Sequence, residues 1–231
     1  CDVVFKPLKK LGLEILKYQL KDSFVPEWST IESIIVKEKV KNLLIVHFFG
    51  QPQEIDIVLL FKKKYNLKII EDNSHGFSGK MNQKLLGTFG DIGISSPRKI
   101  LGYPYGGVLY YNSKIKLNIS SLSNFKNSFF GLIMIMMKIN LSHFPKIRTK
   151  VKLIKNKSII WSDPKYFKES KYNDCLLDNY SYRKIKSKDW SVIGEKRREN
   201  WIKWSKFIIK NNLQLAFKDI HKESCPWALP A

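Results

Sequence analysis

Asp72, His75, Ser96 and Lys99 are the residues whose types and order could carry a reaction. Asp72 closes an apolar run, His75 lies three residues on, Ser96 stands in a polar loop, and Lys99 precedes the pair Gly106-Gly107. Taken singly, each has a plainer reading. An Asp after a buried strand is often only a helix cap, a single His is more often a hydrogen-bonded structural residue, and Lys99 is one of many lysines. Together they form the set that a pyridinium cofactor requires. A carboxylate against the ring nitrogen keeps it protonated, so that the ring can take up the electrons of a carbanion, and Asp72 can serve. A donor must lie against the ring hydroxyl, which suits His75. A lysine must reach the aldehyde carbon, form an imine and move a proton once substrate displaces it, and Lys99 is the candidate. A small hydroxyl residue such as Ser96 can help to hold a phosphate.

The elements around these residues can be read from hydrophobic patterning. Asn42-Leu-Leu-Ile-Val-His-Phe48 is short, continuous and β-branched, as suits a strand buried on both faces, and Gly50-Gln-Pro52 breaks it. Glu54 to Tyr65 then reads as a helix, with Ile55, Val58 and Leu59 on one stripe and Lys62, Lys63 and Lys64 at the end where positive charge is favoured. Asn66 ends it, and Leu67-Lys-Ile-Ile-Glu71 is a second strand. Strand, helix and strand with short links make a βαβ unit and hence a parallel sheet. Gly90-Asp-Ile-Gly-Ile94 and Gly107-Val-Leu-Tyr-Tyr111 are two further strands, separated by a polar loop with Ser95, Ser96, Arg98 and Lys99. Ligands in open parallel sheets gather at the carboxyl ends of the strands, where Asp72 and Ser95-Ser96 fall.

From Ile92 to Ser162 there is no acidic residue, while basic residues accumulate among Asn, Ser and Ile without a clear period. The portion 113–160 reads as a variable basic excursion from the main fold. Order returns with Ser187-Lys-Asp-Trp-Ser-Val-Ile193, which leads into an amphipathic helix over Glu195 to Lys210. Its Trp201, Trp204, Phe207 and Ile208 recur at helical spacing, a stripe expected to be core. The chain opens on Cys1 and closes on Ser224-Cys-Pro-Trp-Ala-Leu-Pro-Ala231, apolar residues that read as the lead into a strand. The sequence is therefore expected to be the middle of a longer chain, truncated at both ends.

Composition narrows the class of function. At 231 residues, with 44% hydrophobic and 13% aromatic residues, the chain can bury a sizeable core and is not disordered as a whole. The net charge of +21 invites nucleic acid or an anionic membrane as partner, yet the excess is nearly all Lys. Residues that read bases or clamp phosphates bidentately are disproportionately Arg, so no nucleic-acid partner is expected. Cys1, Cys175 and Cys225 are widely spaced and form no CxxC, which excludes a familiar metal motif and suits a reducing, cytoplasmic setting. Phe129 to Met137, the longest apolar run, is far shorter than the ~18–20 residues of a spanning helix, so no transmembrane segment is expected.

Five blocks carry a family resemblance: Val46-His-Phe-Phe-Gly-Gln-Pro52, Ile70-Glu-Asp-Asn-Ser-His75, Leu86-Gly-Thr-Phe-Gly-Asp-Ile92, Ser96-Pro-Arg-Lys99 and Gly106-Gly-Val108. In this order they resemble the DegT/DnrJ/StrS sugar aminotransferases. The likeness runs from about Val46 to Asn112 and is fainter over Trp190 to Trp204, where Arg197-Arg-Glu-Asn-Trp201 is similar to the start of the family's small-domain helix. The resemblance implies an α/β protein of the aspartate-aminotransferase-like fold type I, with a mostly parallel sheet flanked by helices. Residues 1–160 are expected to be part of the large cofactor domain, and 161–231 the connecting helices and the beginning of a smaller C-terminal α/β domain. The implied cofactor is pyridoxal 5'-phosphate. Asp72 matches the acid at its ring nitrogen, Ser74 the small residue on the ring face, His75 the residue near the ring hydroxyl, Ser96 the phosphate serine and Lys99 the Schiff-base lysine. The resemblance further implies a homodimer that moves an amino group, from glutamate in the commonest case, to a nucleotide-linked keto sugar in polysaccharide or glycan synthesis.

Three other readings stand beside this one. Dehydratases of the same family replace the lysine by histidine, and Lys99 argues against that chemistry. The family's His-Asn-Tyr-Arg block is not recognisable, with only Asp178-Asn-Tyr-Ser-Tyr-Arg183 near its place. A cofactor-free relative acting as a binding or structural protein is thus the alternative to an enzyme. A basic module for membranes or nucleic acid, built on the acid-free stretch, is the third.

Overall fold

The computed structural model of the chain describes residues 2–101, 106–115, 123–124, 175–177 and 179–230. In chain order its elements begin with helices α1 (Asp2–Lys10) and α2 (Trp28–Glu38), strand β1 (Asn42–Val46), helix α3 (Ile55–Tyr65) and strand β2 (Lys68–Asn73). There follow the short strands β3 (Lys80–Met81) and β4 (Lys84–Leu85), strand β5 (Ile92–Ser95), helix α4 (Pro97–Leu101) and strand β6 (Val108–Tyr111). Strands β7 (Ser123–Asn124) and β8 (Cys175–Leu176) and helices α5 (Asn179–Lys186) and α6 (Trp190–Lys210) complete the set. The expected basic excursion over 113–160 lies almost wholly outside the described residues.

Two compact units divide the chain. The first comprises Cys1–Ser96, Val108–Asn112 and Asp189–Ala231, and the second Pro97–Gly107 and Ser113–Lys188. The first unit holds a four-stranded sheet in the order β1-β2-β5-β6. Strands β1, β2 and β5 run parallel, with Ile45 opposite Glu71 and Glu71 opposite Gly93, whereas β6 is antiparallel to β5. The βαβ unit read from the sequence is present, and the α/β, mostly parallel architecture agrees with the expectation.

Why the chain folds so locally is visible at the helix ends and on the strand faces. Asn66 caps α3 in the left-handed region (φ 51°), its N–H turned to the Lys62 carbonyl, which a short amide side chain tolerates and which reverses the chain into β2. Side chains alternate along a strand, so Leu43, Ile45 and His47 share one face with Ile69, Glu71 and Asn73. The apolar members of that face pack under α2 and α3 in one core of Ile31, Ile35, Leu43, Ile45, Val58, Phe61, Leu67 and Ile69. Asp72 belongs to the opposite face.

Two details of the stripes differ from the sequence reading. On α3 the buried residues are Ile55, Val58 and Phe61, while Leu59 is 37% exposed. Phe61 completes the i, i+3, i+6 stripe and is held by ring contacts with Trp28 and Tyr65, and this turns Leu59 outward. Helix α6 starts at Trp190, earlier than expected, because Asp189 caps it by accepting the N–H groups of Ser191 and Val192. Along α6, Trp201 and Ile208 are buried as expected, but Trp204 and Phe207 are 60% and 54% exposed and pack edge-to-face on each other. The expected all-core stripe is half solvent-facing.

The second unit contains α4, the parallel pair β7–β8 with Ser123 opposite Cys175, and α5. The loop expected around Arg98 and Lys99 is the short helix α4, with Pro97 at its first position, where a missing N–H costs nothing. Among the described residues, no helix is long and apolar enough to cross a membrane, and no group of three His, Cys, Asp or Glu side chains could hold a metal ion.

Candidate active site

The carboxyl ends of the three parallel strands bring the polar residues of the first unit together. Strand β1 ends in Val46, directly before His47, β2 in Asp72-Asn73 and β5 in Ser95. The register sets Val46 opposite Asp72 and Asn73 opposite Ser95. His47 N–H donates to the Asp72 carbonyl at 2.9 Å, continuing the ladder one residue past β1.

Asp72 is buried, and its Oδ1 accepts the Ser74 N–H at 2.9 Å, an Asx turn that fixes the carboxylate against its own strand end. Among the described residues, Oδ2 accepts no hydrogen bond, so one oxygen anchors the group and the other remains for a ligand. Ser74 and His75 are half-buried in that turn. His75 Nδ1 accepts the Phe49 N–H at 3.3 Å, which places the proton of the neutral ring on Nε2. Asn73 is fully buried and donates from Nδ2 to the carbonyls of Gly76 and Leu86, and its own carbonyl accepts the Ser95 hydroxyl at 2.8 Å. Ser96, also buried, follows directly.

Lys99 is half-buried on α4, in the second unit, three residues along the chain from Ser96. The structure thus gathers Asp72, Ser74, His75 and Ser96 at one end of the first unit's sheet. Lys99 is connected to them through the chain.

Several participants were not singled out from sequence. The C-terminal segment lies against the His75 turn: Trp227 N–H donates to the Phe49 carbonyl at 3.0 Å, and the Trp227 ring stacks on His75. Gly50 makes this possible, because a Cβ there would lie 2.7 Å from the Cys225 carbonyl oxygen and 2.8 Å from that of His75, and its φ is +87°. His47 and Glu71 form a buried pair behind Asp72. Both stood inside the resembling blocks, and their paired positions at the ends of adjacent strands were the signal that could have found them.

The donor set agrees with the demands of a pyridinium cofactor: a carboxylate with one oxygen free, an imidazole whose Nε2 carries the proton, and serines at the end of the neighbouring parallel strand. In an open α/β sheet the carboxyl ends of the strands, where this set lies, are where ligands gather, and comparison with known proteins gives the family. The family model of the DegT/DnrJ/EryC1/StrS aminotransferases matches residues 12–128, just over half of the 231-residue chain. The chain belongs to that family. It is 33% identical over 81 residues to a GDP-perosamine synthase from Escherichia coli O157:H7, a match covering 34% of this chain and 22% of that protein. It is 35% identical over 65 residues to a dTDP-3-amino-3,6-dideoxy-alpha-D-galactopyranose transaminase from Aneurinibacillus thermoaerophilus, covering 26% and 18% of the two. The chain spans about a fifth of the length of these curated relatives. Among solved structures, a DegT DnrJ EryC1 StrS aminotransferase from Brucella abortus is 24% identical with a TM-score of 0.42, covering 47% of this chain and 32% of that one.

Proposed function

We propose that this chain is the cofactor-binding core of a pyridoxal-phosphate-dependent aminotransferase acting on a nucleotide-linked keto sugar. The observation that carries the reading is the Asp72 carboxylate, buried at the carboxyl end of β2 with one oxygen tied to Ser74 and the other unclaimed among the described residues. The relatives named for GDP- and dTDP-linked amino sugars support the substrate class.

When bound, the pyridine ring supplies an electron sink for the carbanion formed as an amino group is moved. Asp72 holds a proton on the ring nitrogen through its free oxygen. His75 donates from Nε2 to the ring hydroxyl, with Nδ1 anchored by Phe49 N–H. Ser74 packs on the ring face, and Ser96 contributes its hydroxyl to the phosphate. Lys99 would attach the cofactor through its amine and, as a free amine, would serve as the base that takes the proton from the substrate carbon and returns it elsewhere during amino transfer. The amino donor is an amino acid, with glutamate the favoured one. The working protein is a cytoplasmic homodimer, residues 1–160 belong to its large domain, and 161–231 begin the small one.

Addition of pyridoxal phosphate to the protein should produce an absorption band of covalently held cofactor that disappears in Lys99→Ala. A wild type that stays colourless with cofactor added would sink the proposal and favour a cofactor-free relative.

A further inference from the structure

Glu71 precedes Asp72 on β2 and points to the opposite face, and the chemistry above leaves it unassigned. Both Glu71 and His47 are 0% exposed, and the imidazole Nε2 lies 3.0 Å from Glu71 Oε2. The other ring nitrogen fixes the proton's place. His47 Nδ1 accepts the Gln53 backbone N–H at 3.2 Å, so it carries no proton, and Nε2 is the donor. Glu71 Oε2 also accepts the Gly87 N–H at 2.9 Å, and Oε1 accepts the Gly90 N–H. Burial pushes the Glu71 carboxyl up, but the donors from His47, Gly90 and Gly87 outweigh it and hold the group below the usual carboxylate range. This is an ionised carboxylate with three N–H donors, sealed under the end of the sheet by the His47 imidazole.

We propose that the His47–Glu71 pair is a positioning device for Asp72: it ties the ends of β1 and β2 to the glycine loop 87–90 and thereby sets the strand end from which Asp72 meets the cofactor. The proposal rests on the reading of Asp72 given above. Three restraints converge on that strand end. The His47 N–H holds the Asp72 carbonyl at 2.9 Å, the His47 ring holds Glu71, and Glu71 holds the loop. The loop can reach Glu71 because Gly93, opposite Glu71 in the register, lacks a side chain; a Cβ there would overlap the Gly87 carbonyl. Preorganisation of this kind lowers the cost of ordering a site when ligand binds.

The hydrogen-bond inventory dictates the variants. Glu71→Gln offers one carbonyl oxygen where two carboxylate oxygens serve, so its amide must face one of the three donors. His47→Leu removes both the donor to Glu71 and the acceptor for Gln53. His47→Gln can restore both, since its amide N–H can face Glu71 and its oxygen can accept from Gln53.

The test measures the dissociation constant for pyridoxal phosphate well below the unfolding temperature, the thermal midpoint, and amide hydrogen exchange at Gly90. Glu71→Gln and His47→Leu should weaken cofactor binding about tenfold or more and speed exchange at Gly90, while His47→Gln stays within about threefold of wild type. Lowered thermal midpoints with unchanged cofactor affinity overturn the proposal, as does His47→Gln behaving like His47→Leu. Asp72→Asn separates the two claims. If Asp72→Asn binds cofactor like wild type, the reading of Asp72 fails. If Asp72→Asn loses affinity and Glu71→Gln does not, only the positioning role fails. Should Glu71→Gln not fold, the contrast between the two His47 variants decides.

Discussion

Trp227 lies on the imidazole of His75, with ring centroids 4.6 Å apart and planes inclined by 31°. The pair links the far end of the chain to the turn after β2. Trp227 N–H donates to the Phe49 carbonyl, Phe49 N–H donates to His75, and Arg197 Nη1 holds the carbonyls of Pro226 and Trp227 at 3.0 and 3.1 Å. Arg198 Nη1 reaches the Ser224 carbonyl at 2.7 Å. Helix α6 thus holds the segment that buttresses His75. Stacked aromatic pairs contribute about 0.5–1.5 kcal/mol beyond burial. Trp227→Ala should therefore weaken pyridoxal-phosphate binding about three- to tenfold, and Trp227→Phe should retain most of it. Equilibrium dialysis of the two variants against wild type checks this, and equal affinities for all three proteins would show that the stack does not support the site.

The crossing of the glycine loop over β5 makes Gly93 intolerant. Gly93→Ala forces the loop or the strand to move, because the new methyl overlaps the Gly87 carbonyl, and overpacking at such a site costs about 3 kcal/mol. Gly12 has φ +70°, and a methyl group added there would meet nothing within 4 Å. Gly12→Ala should cost only the backbone strain of about 1–2 kcal/mol. Urea unfolding of the two variants gives the comparison, and a Gly93→Ala protein as stable as wild type would contradict the close approach.

Acid should destabilise the fold through specific groups. Glu71 and Asp91 both titrate below their ordinary range: burial pushes each up, and is outweighed at Glu71 by the donors from His47, Gly90 and Gly87, at Asp91 by the Ile69 N–H and Lys62. Lys62 Nζ stands 2.9 Å from Asp91 Oδ2. A carboxylate with a depressed folded value contributes stability that is complete above its unfolded value, about 4 for Asp and Glu. That contribution is lost as pH falls through the lower folded value. Urea midpoints should thus drop steadily as pH is taken from about 5 downward, and Glu71→Gln should flatten the drop while starting from a lower midpoint at neutral pH. A pH profile of Glu71→Gln parallel to that of wild type would show that Glu71 is not the titrating group.

The parts of this fold that were legible in the sequence are those where one local rule dominates. The β1-α3-β2 unit was readable because the apolar runs are short and β-branched and because Asn66 can adopt the left-handed cap. Asp72 and Ser96 are readable as strand-end residues for the same reason, whereas Ser74 enters only through the family resemblance. Tertiary competition decided the rest. Whether Leu59 or Phe61 fills the α3 stripe depends on Trp28 and Tyr65, which lie on α2 and at the far end of α3. The exposure of Trp204 and Phe207 depends on what packs against α6, which helical spacing does not encode. The short helix α4 reads as a loop in the sequence because five residues hold no periodicity. The contact of Trp227 with His75 joins positions 152 residues apart, beyond the reach of any local pattern.

The central claim is that this chain holds pyridoxal phosphate covalently, and reductive trapping tests it most directly. The protein is incubated with the cofactor, reduced with borohydride and mapped by peptide mass spectrometry. One dominant modified peptide is expected, carrying the cofactor on Lys99, and it should be lost in Lys99→Arg with no other lysine taking its place. Cofactor scattered over surface lysines, or a dominant adduct on any other lysine, would contradict it.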